Sequence, residues 1–537
     1  MSIPASTAEL SPRQLHTLLQ QREEIAVLDV REVGLFTRGH LLHASSAPLW
    51  RIPLVLDRLV PRRDTPVVLT DLDGAQLAEA ADQLRHLGYT NVSLLAGGTQ
   101  AWQAAGYEVF IDDNVPGKAL GEVVEVQAHT PHIDVEELRR RQARGDKLVV
   151  VDGRTPEEFR DFSLPGAHSL PNGELPYRIR ELAPDPDTLI VVNCAGRTRS
   201  IIGAQTLIDA GVPNPVVSLK DGTMAWLLAG HTLEHGRRPI LPEPTPQHLA
   251  AARAAAQALS RKAGVRSIDA QELARLAADG GRNLYRLDTR TREEYRAGHL
   301  PGWRWAPGGQ LVQATDHYVG VRGARVVLAD WDGVRAHSTA AWLAQLGAYE
   351  VVLYAPAADA ALETGDEPVR VLRDPRVPPA DWATPQQAWQ LLQEGRAALF
   401  DVDNSLAFAR RHIEGARFAA PHRVQEFITA LAGPQQIVIT SGDGVLARWV
   451  ASRLQRQGIT ARALLGGNQA WFDAGLPTAT GAEEVLTGEE DARYGGYAYS
   501  DPVRRDASFR DYLAWELALV GQVARPGGEL PLRVLAA

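Results

Sequence analysis

Residues 189–211, LIVVN-CAGRTR-SIIGAQTLIDAG, read as one strand, one loop and one helix. LIVVN is a nearly continuous β-branched apolar run, the pattern of a strand buried in a parallel sheet. An amphipathic helix is expected to begin near Ser200, and Gly211 stands just past it as a C-terminal stop. The loop between them opens with Cys194, the single cysteine among 537 residues. A loop wrapped at a helix N-terminus turns several backbone N–H groups toward one point, which suits an anion.

The same pattern recurs in other parts of the chain. Equivalent strands are PVVLT, RVVLA and QIVIT, and their helices end at Gly88, Gly347 and Gly458. Each copy is preceded by a strand ending in Asp: AVLDVRE (Asp29), VVVDGRT (Asp152), YRLDTRT (Asp288) and ALFDVDN (Asp401). A turn follows that strand, RGHLLHA (His40), SLPGAHS, AGHLPGW (His299) or RHIEGAR (His412). Three copies close on AGGTQAW (Trp102), KDGTMAW (Trp226) and GGNQAW (Trp471), an element the third lacks. Cys194 lies 17 residues before Gly211, and the same offset gives Asp71, Asp330 and Ser441. The spacing from the strand-end Asp to this position is 42, 42, 42 and 40 residues.

Strands alternating with helices at a fixed spacing predict an α/β fold of four tandem domains, each a small central parallel sheet flanked by helices. The expected units span 1–120, 125–240, 262–376 and 380–480. The Pro-bounded, Ala-rich stretch 241–261 is expected to be a linker helix. The tail, 481–537, is not a fifth copy. It carries Tyr512, Leu513, Trp515, Leu517 and Val520 as an expected apolar helix face, docked on the last unit.

Composition removes several function classes. A net charge of −9 gives no basic footprint for bulk nucleic-acid binding. One cysteine forms neither an intrachain disulfide nor a Cys-rich zinc site. No run approaches the ~18 apolar residues of a membrane span, and MSIPASTAELSPRQ lacks the pattern of a secretory signal. The expected compartment is the cytoplasm.

Arg197 and Arg199 add charge beside Cys194. Cations and a helix N-terminus lower a thiol pKa, so Cys194 is expected to be a thiolate nucleophile. Arg154 is expected to tie its own loop by charge-assisted hydrogen bonds. The loops DLDGAQ, DWDGVR and SGDGVL carry no thiol. Asp71 and Asp330 are read in two ways: as carboxylates that cap their own loop amides, or as members of a solvated Asp-Gly turn. Their D-x-D-G pattern places glycine fourth, where an EF-hand needs it sixth, so no calcium site is expected.

The CAGRTRS loop, the D-x-R strand end, the GH turn and the GGxxAW element together resemble the rhodanese (sulfurtransferase) superfamily, over about 480 residues in four copies. The resemblance implies a cysteine cycling between thiolate and persulfide. On this chain that is Cys194, cradled by Ala195, Gly196, Arg197, Thr198 and Arg199, with Ser200 starting the helix and Asp152 and Arg154 in support. It implies a small anionic sulfur donor such as thiosulfate, an external thiol or cyanide acceptor, and no metal or organic cofactor. The related cysteine phosphatases carry His-Cys, five residues and Arg; here Asn193 precedes the cysteine and four residues separate it from Arg199. A second reading is a scaffold whose thiol-free units hold protein partners while Cys194 senses redox state or reactive sulfur.

Overall fold

The computed structural model describes residues 7–21, 23–431 and 435–535. Residues 1–6, with which the first expected unit begins, and the last two of the tail lie outside the described residues. Among the described residues no helix is long and apolar enough to cross a membrane.

Each unit is built on a parallel sheet with the same strand order. In the second unit that order is His132–Ile133, Val216–Leu219, Leu189–Asn193, Leu148–Asp152 and His168–Ser169, all parallel. The two central strands are the most apolar, and they are buried on both faces by helices. The loop opened by Cys194 leaves the C-terminal end of the central strand, and Asp152 ends the neighbouring one. Open α/β sheets place ligands outside this edge.

The units are fused rather than strung. Val321–Arg322 of the third unit adds an antiparallel strand to the sheet of the first, pairing with Ile25 and Ala26. One continuous apolar core runs through the first, third and fourth units and takes in Ile201 and Ile202 from the helix after the Cys194 loop. The Trp342 indole N–H donates to Thr206 Oγ1 at 2.8 Å, joining the third unit to that same helix. The linker helix spans Pro246–Lys262, with Thr245 capping its first turn.

The tail departs from expectation. Its first residues do pack on the fourth unit: Gly481 N–H donates to Ala409 O, and Leu486 N–H to Phe418 O. The chain then crosses the molecule, and helix Pro502–Gln522 docks on the first and second units. Its buried face is Phe509, Leu513, Glu516 and Leu519, while Leu517 points to solvent. Leu519 packs with Leu42, Phe110 and Val115, and Phe509 and Leu513 pack with Met224. The difference is physical. Of the expected stripe Leu513 is buried, Tyr512, Trp515 and Val520 are half-buried and only Leu517 is exposed; the face is covered by the first and second units because Leu42, Phe110, Val115 and Met224 offer it apolar surface.

Candidate active site

Cys194 is 2% exposed and follows strand Leu189–Asn193 directly. Helix Thr198–Asp209 begins two residues earlier than expected, so the loop is only four residues long. The Ser200 hydroxyl donates back to Arg197 O at 2.7 Å, locking the first turn. The Cys194 carbonyl accepts from Thr223 N–H at 3.0 Å, and the Ala195 carbonyl from Met224 N–H at 3.0 Å. This is the role of the Gly-Ala-Trp element. A Cβ on Gly222 would lie 2.2 Å from Cys194 O, and Gly98 and Gly467 make the same close approach to Asp71 O and Ser441 O.

Asp152 and Arg154 form a fully buried pair, with Arg154 Nη2 to Asp152 Oδ2 at 2.8 Å and a further bond to Phe162 O. Asn193 Nδ2 donates to Asp152 as well. The first and third units repeat this at Asp29–Arg31 and Asp288–Arg290. In the fourth, Asp403 replaces the arginine, and burial without a guanidinium pushes Asp401 up to about 7.

The two loop arginines do not offer free charge to Cys194. Arg197, 3% exposed, is held by Glu122 (2.8 and 2.9 Å), Glu125 and Asp221 (3.0 Å). Burial alone would lower its pKa; Glu122, Glu125 and Asp221 more than reverse this. Arg199 is paired with Glu158 at 2.6 and 2.8 Å and reaches Gln310 of the third unit. Asn172 Nδ2 donates to Arg199 O. The Cys194 thiol is accordingly raised: burial pushes it up, and Arg199 with the Ser200 hydroxyl and amide pulls it down without cancelling that effect. This corrects the expected thiolate. The arginines neighbour the sulfur along the chain, but carboxylates from elsewhere in the fold already engage them.

The tail completes the site. Tyr497 stacks on Phe162 with ring centroids 4.7 Å apart, and its hydroxyl lies 2.6 Å from Thr223 Oγ1 and 3.3 Å from Ala195 O. Thr198 Oγ1 donates to Glu516 Oε1 at 3.1 Å, and Tyr512 does so at 2.8 Å. Beside the loop, Met224, Arg493, Tyr494, Tyr497, Tyr512 and Trp515 line a cavity of about 230 Å³. Two of these contacts had a sequence signal. Phe162 stands where the first and third units have Gly39 and Gly298, whose carbonyls meet the same arginine. Asp221, at φ +58°, stands where the others have Gly97 and Gly466; its bond to Arg197 offsets the strain of that backbone.

The thiol-free loops are filled by their own side chains. The Asp71 carboxylate accepts from Gly74 N–H (2.5 Å) and Gln76 N–H (2.8 Å). Asp330 accepts from Gly333 (2.6 Å) and Ala336 (2.5 Å). Ser441 Oγ accepts from Ala447 N–H at 3.1 Å.

A model of the rhodanese-like domain matches residues 11–105, 134–229, 269–358 and 384–474. The chain belongs to the rhodanese family. Among solved rhodanese structures, that of a thiosulfate sulfurtransferase from Pseudomonas aeruginosa is 40% identical, with a TM-score of 0.92 over 98% of this chain and 100% of its own. A sulfurtransferase of Allochromatium vinosum is 32% identical over 111 residues, covering 21% of this chain and 95% of its own length. The thiosulfate sulfurtransferase GlpE of Haemophilus influenzae is 34% identical over 98 residues, 18% of this chain and 92% of its own.

Proposed function

We propose that this rhodanese is a sulfurtransferase that takes the sulfane sulfur of thiosulfate onto Cys194 and passes it to cyanide or an external thiol. One observation carries the reading. An aspartate places its Oδ atoms one bond beyond Cγ, as a persulfide places its outer sulfur one bond beyond Sγ. Asp71 and Asp330 direct those oxygens at loop amides whose counterparts in the second unit are those of Arg197, Arg199 and Ser200. The carboxylates thus occupy the place an anionic outer sulfur would take, and Cys194 alone carries a group able to gain and lose such an atom.

In the donor half, the Cys194 thiolate attacks the sulfane sulfur and sulfite leaves. In the acceptor half, cyanide or a thiolate takes the outer sulfur and the Cys194 thiolate is released. The Asp152–Arg154 pair fixes the neighbouring loop, and Arg197 anchors the cradle to helix Val115–Ala128 rather than meeting the donor. The three filled units have a structural role through the shared core. The test is steady-state thiocyanate formation from thiosulfate and cyanide. Turnover is expected in the native chain and none in Cys194→Ser; an active Cys194→Ser would reject the reading.

A further inference from the structure

Glu516 is the least explained group near the reacting sulfur. It is fully buried, on the tail helix, and faces the second unit's loop. Its Oε1 accepts two hydrogen bonds, from the Thr198 and Tyr512 hydroxyls. Its Oε2 has no hydrogen-bond partner among the described residues. That free oxygen lies over Gly196: a Cβ built there would meet it at 3.2 Å. Buried polar atoms are nearly always satisfied, so an orphan oxygen at a reactive loop calls for a function.

We propose that Glu516 is the group that exchanges the Cys194 proton during sulfur transfer. The inference rests on the sulfurtransferase reading above. In the donor half, the Cys194 S–H bond breaks and its proton passes to the Glu516 carboxylate. The freed electron pair forms the bond from Sγ to the sulfane sulfur, and the S–S bond of thiosulfate breaks with its pair leaving on sulfite. In the acceptor half, cyanide or a thiolate bonds the outer sulfur and the Sγ–S bond breaks toward Sγ. Sγ then recovers the proton from Glu516, restoring the thiol and the carboxylate.

The surroundings suit this exchange. Buried Cys194 is raised and does not ionise readily by itself. Burial also pushes Glu516 up to about 7, with Lys118 opposing, Glu122 adding, and Tyr512 and Thr198 opposing through their hydrogen bonds. Nearby, Arg493 and Asp112 pair with each other, and Lys118 also reaches Asp112. A proton carrier works best with a pKa near the operating pH, within hydrogen-bond reach or across one water.

The experiment is single-turnover sulfite release from thiosulfate across about pH 5.5 to 9, for the native chain, Glu516→Gln and Glu516→Asp. The native rate should rise with an ionisation near 7. Glu516→Gln should lose that limb and fall roughly 100-fold at neutral pH, recovering as pH approaches the thiol's own pKa. Glu516→Asp should keep the limb at a reduced rate, which a purely structural role would not produce. A Glu516→Gln profile within twofold of native, limb intact, overturns the inference and leaves the sulfurtransferase reading standing. No sulfite release from the native chain overturns both.

Discussion

Removing the Arg197 side chain separates a scaffold role from a substrate role. In Arg197→Met the apolar stem is kept and the guanidinium is lost. Glu122, 2% exposed, then remains buried without its cation. Breaking a buried pair from one side costs about 3–5 kcal/mol. Glu125 and Asp221 are partly exposed and add little. Small proteins lose about 1–3 kcal/mol per molar urea and larger ones more, so the midpoint should fall by up to about one molar. Urea unfolding followed by tryptophan fluorescence reads this. Arg197→Met/Glu122→Leu should recover most of the loss, because a well-packed apolar pair is about neutral against a buried ion pair. Thiosulfate KM in the single variant should stay within about twofold, since uniform binding to the donor is not what was removed. A stability change under about 0.5 kcal/mol together with a tenfold higher KM would refute this assignment and make Arg197 a donor ligand.

Three further outcomes follow from the geometry. Glu516 holds its proton to about pH 7 in the folded chain and to its ordinary 4.5 when unfolded. Native stability should therefore fall by about 3 kcal/mol as pH rises from 4.5 to 7, while Glu516→Gln should not show this loss, as urea midpoints at acid and alkaline pH will report. Asp330→Ala leaves the Gly333 and Ala336 amides unpaired and should cost about 1–3 kcal/mol by urea unfolding without altering turnover at Cys194. Glu158→Gln frees Arg199 from its carboxylate, so the Cys194 thiol should ionise at lower pH, seen as an acid-shifted pH profile of alkylation by iodoacetamide.

The repeat made the fold legible. Four strand-end aspartates, four helix-end glycines and near-constant spacing specify local units whose hydrophobic periods match their neighbours. Arg154 is legible as a tie of its own loop, and its partner Asp152 stands only two residues away. The site was legible only as far as its own loop. Two of the three carboxylates that hold Arg197 lie 72 and 75 residues away on helix Val115–Ala128, and Glu516 lies 318 residues from Thr198. Such partners leave no periodic trace. The thiol's direction is not legible from charge along the chain, because pKa depends on burial and on what each charge already faces. Phe162 and Asp221 were visible departures from the repeat, and both proved to mark contacts peculiar to the second unit. The tail's destination was hidden for a similar reason: its partners Phe110, Val115 and Met224 belong to the first half of the chain.

The most direct test is the mass of the intact chain after thiosulfate treatment and removal of excess donor. The account predicts a gain of one sulfur atom, localised to Cys194 by peptide mapping, with one equivalent of sulfite released and the gain reversed by cyanide. A chain that releases no sulfite and keeps its native mass would contradict it.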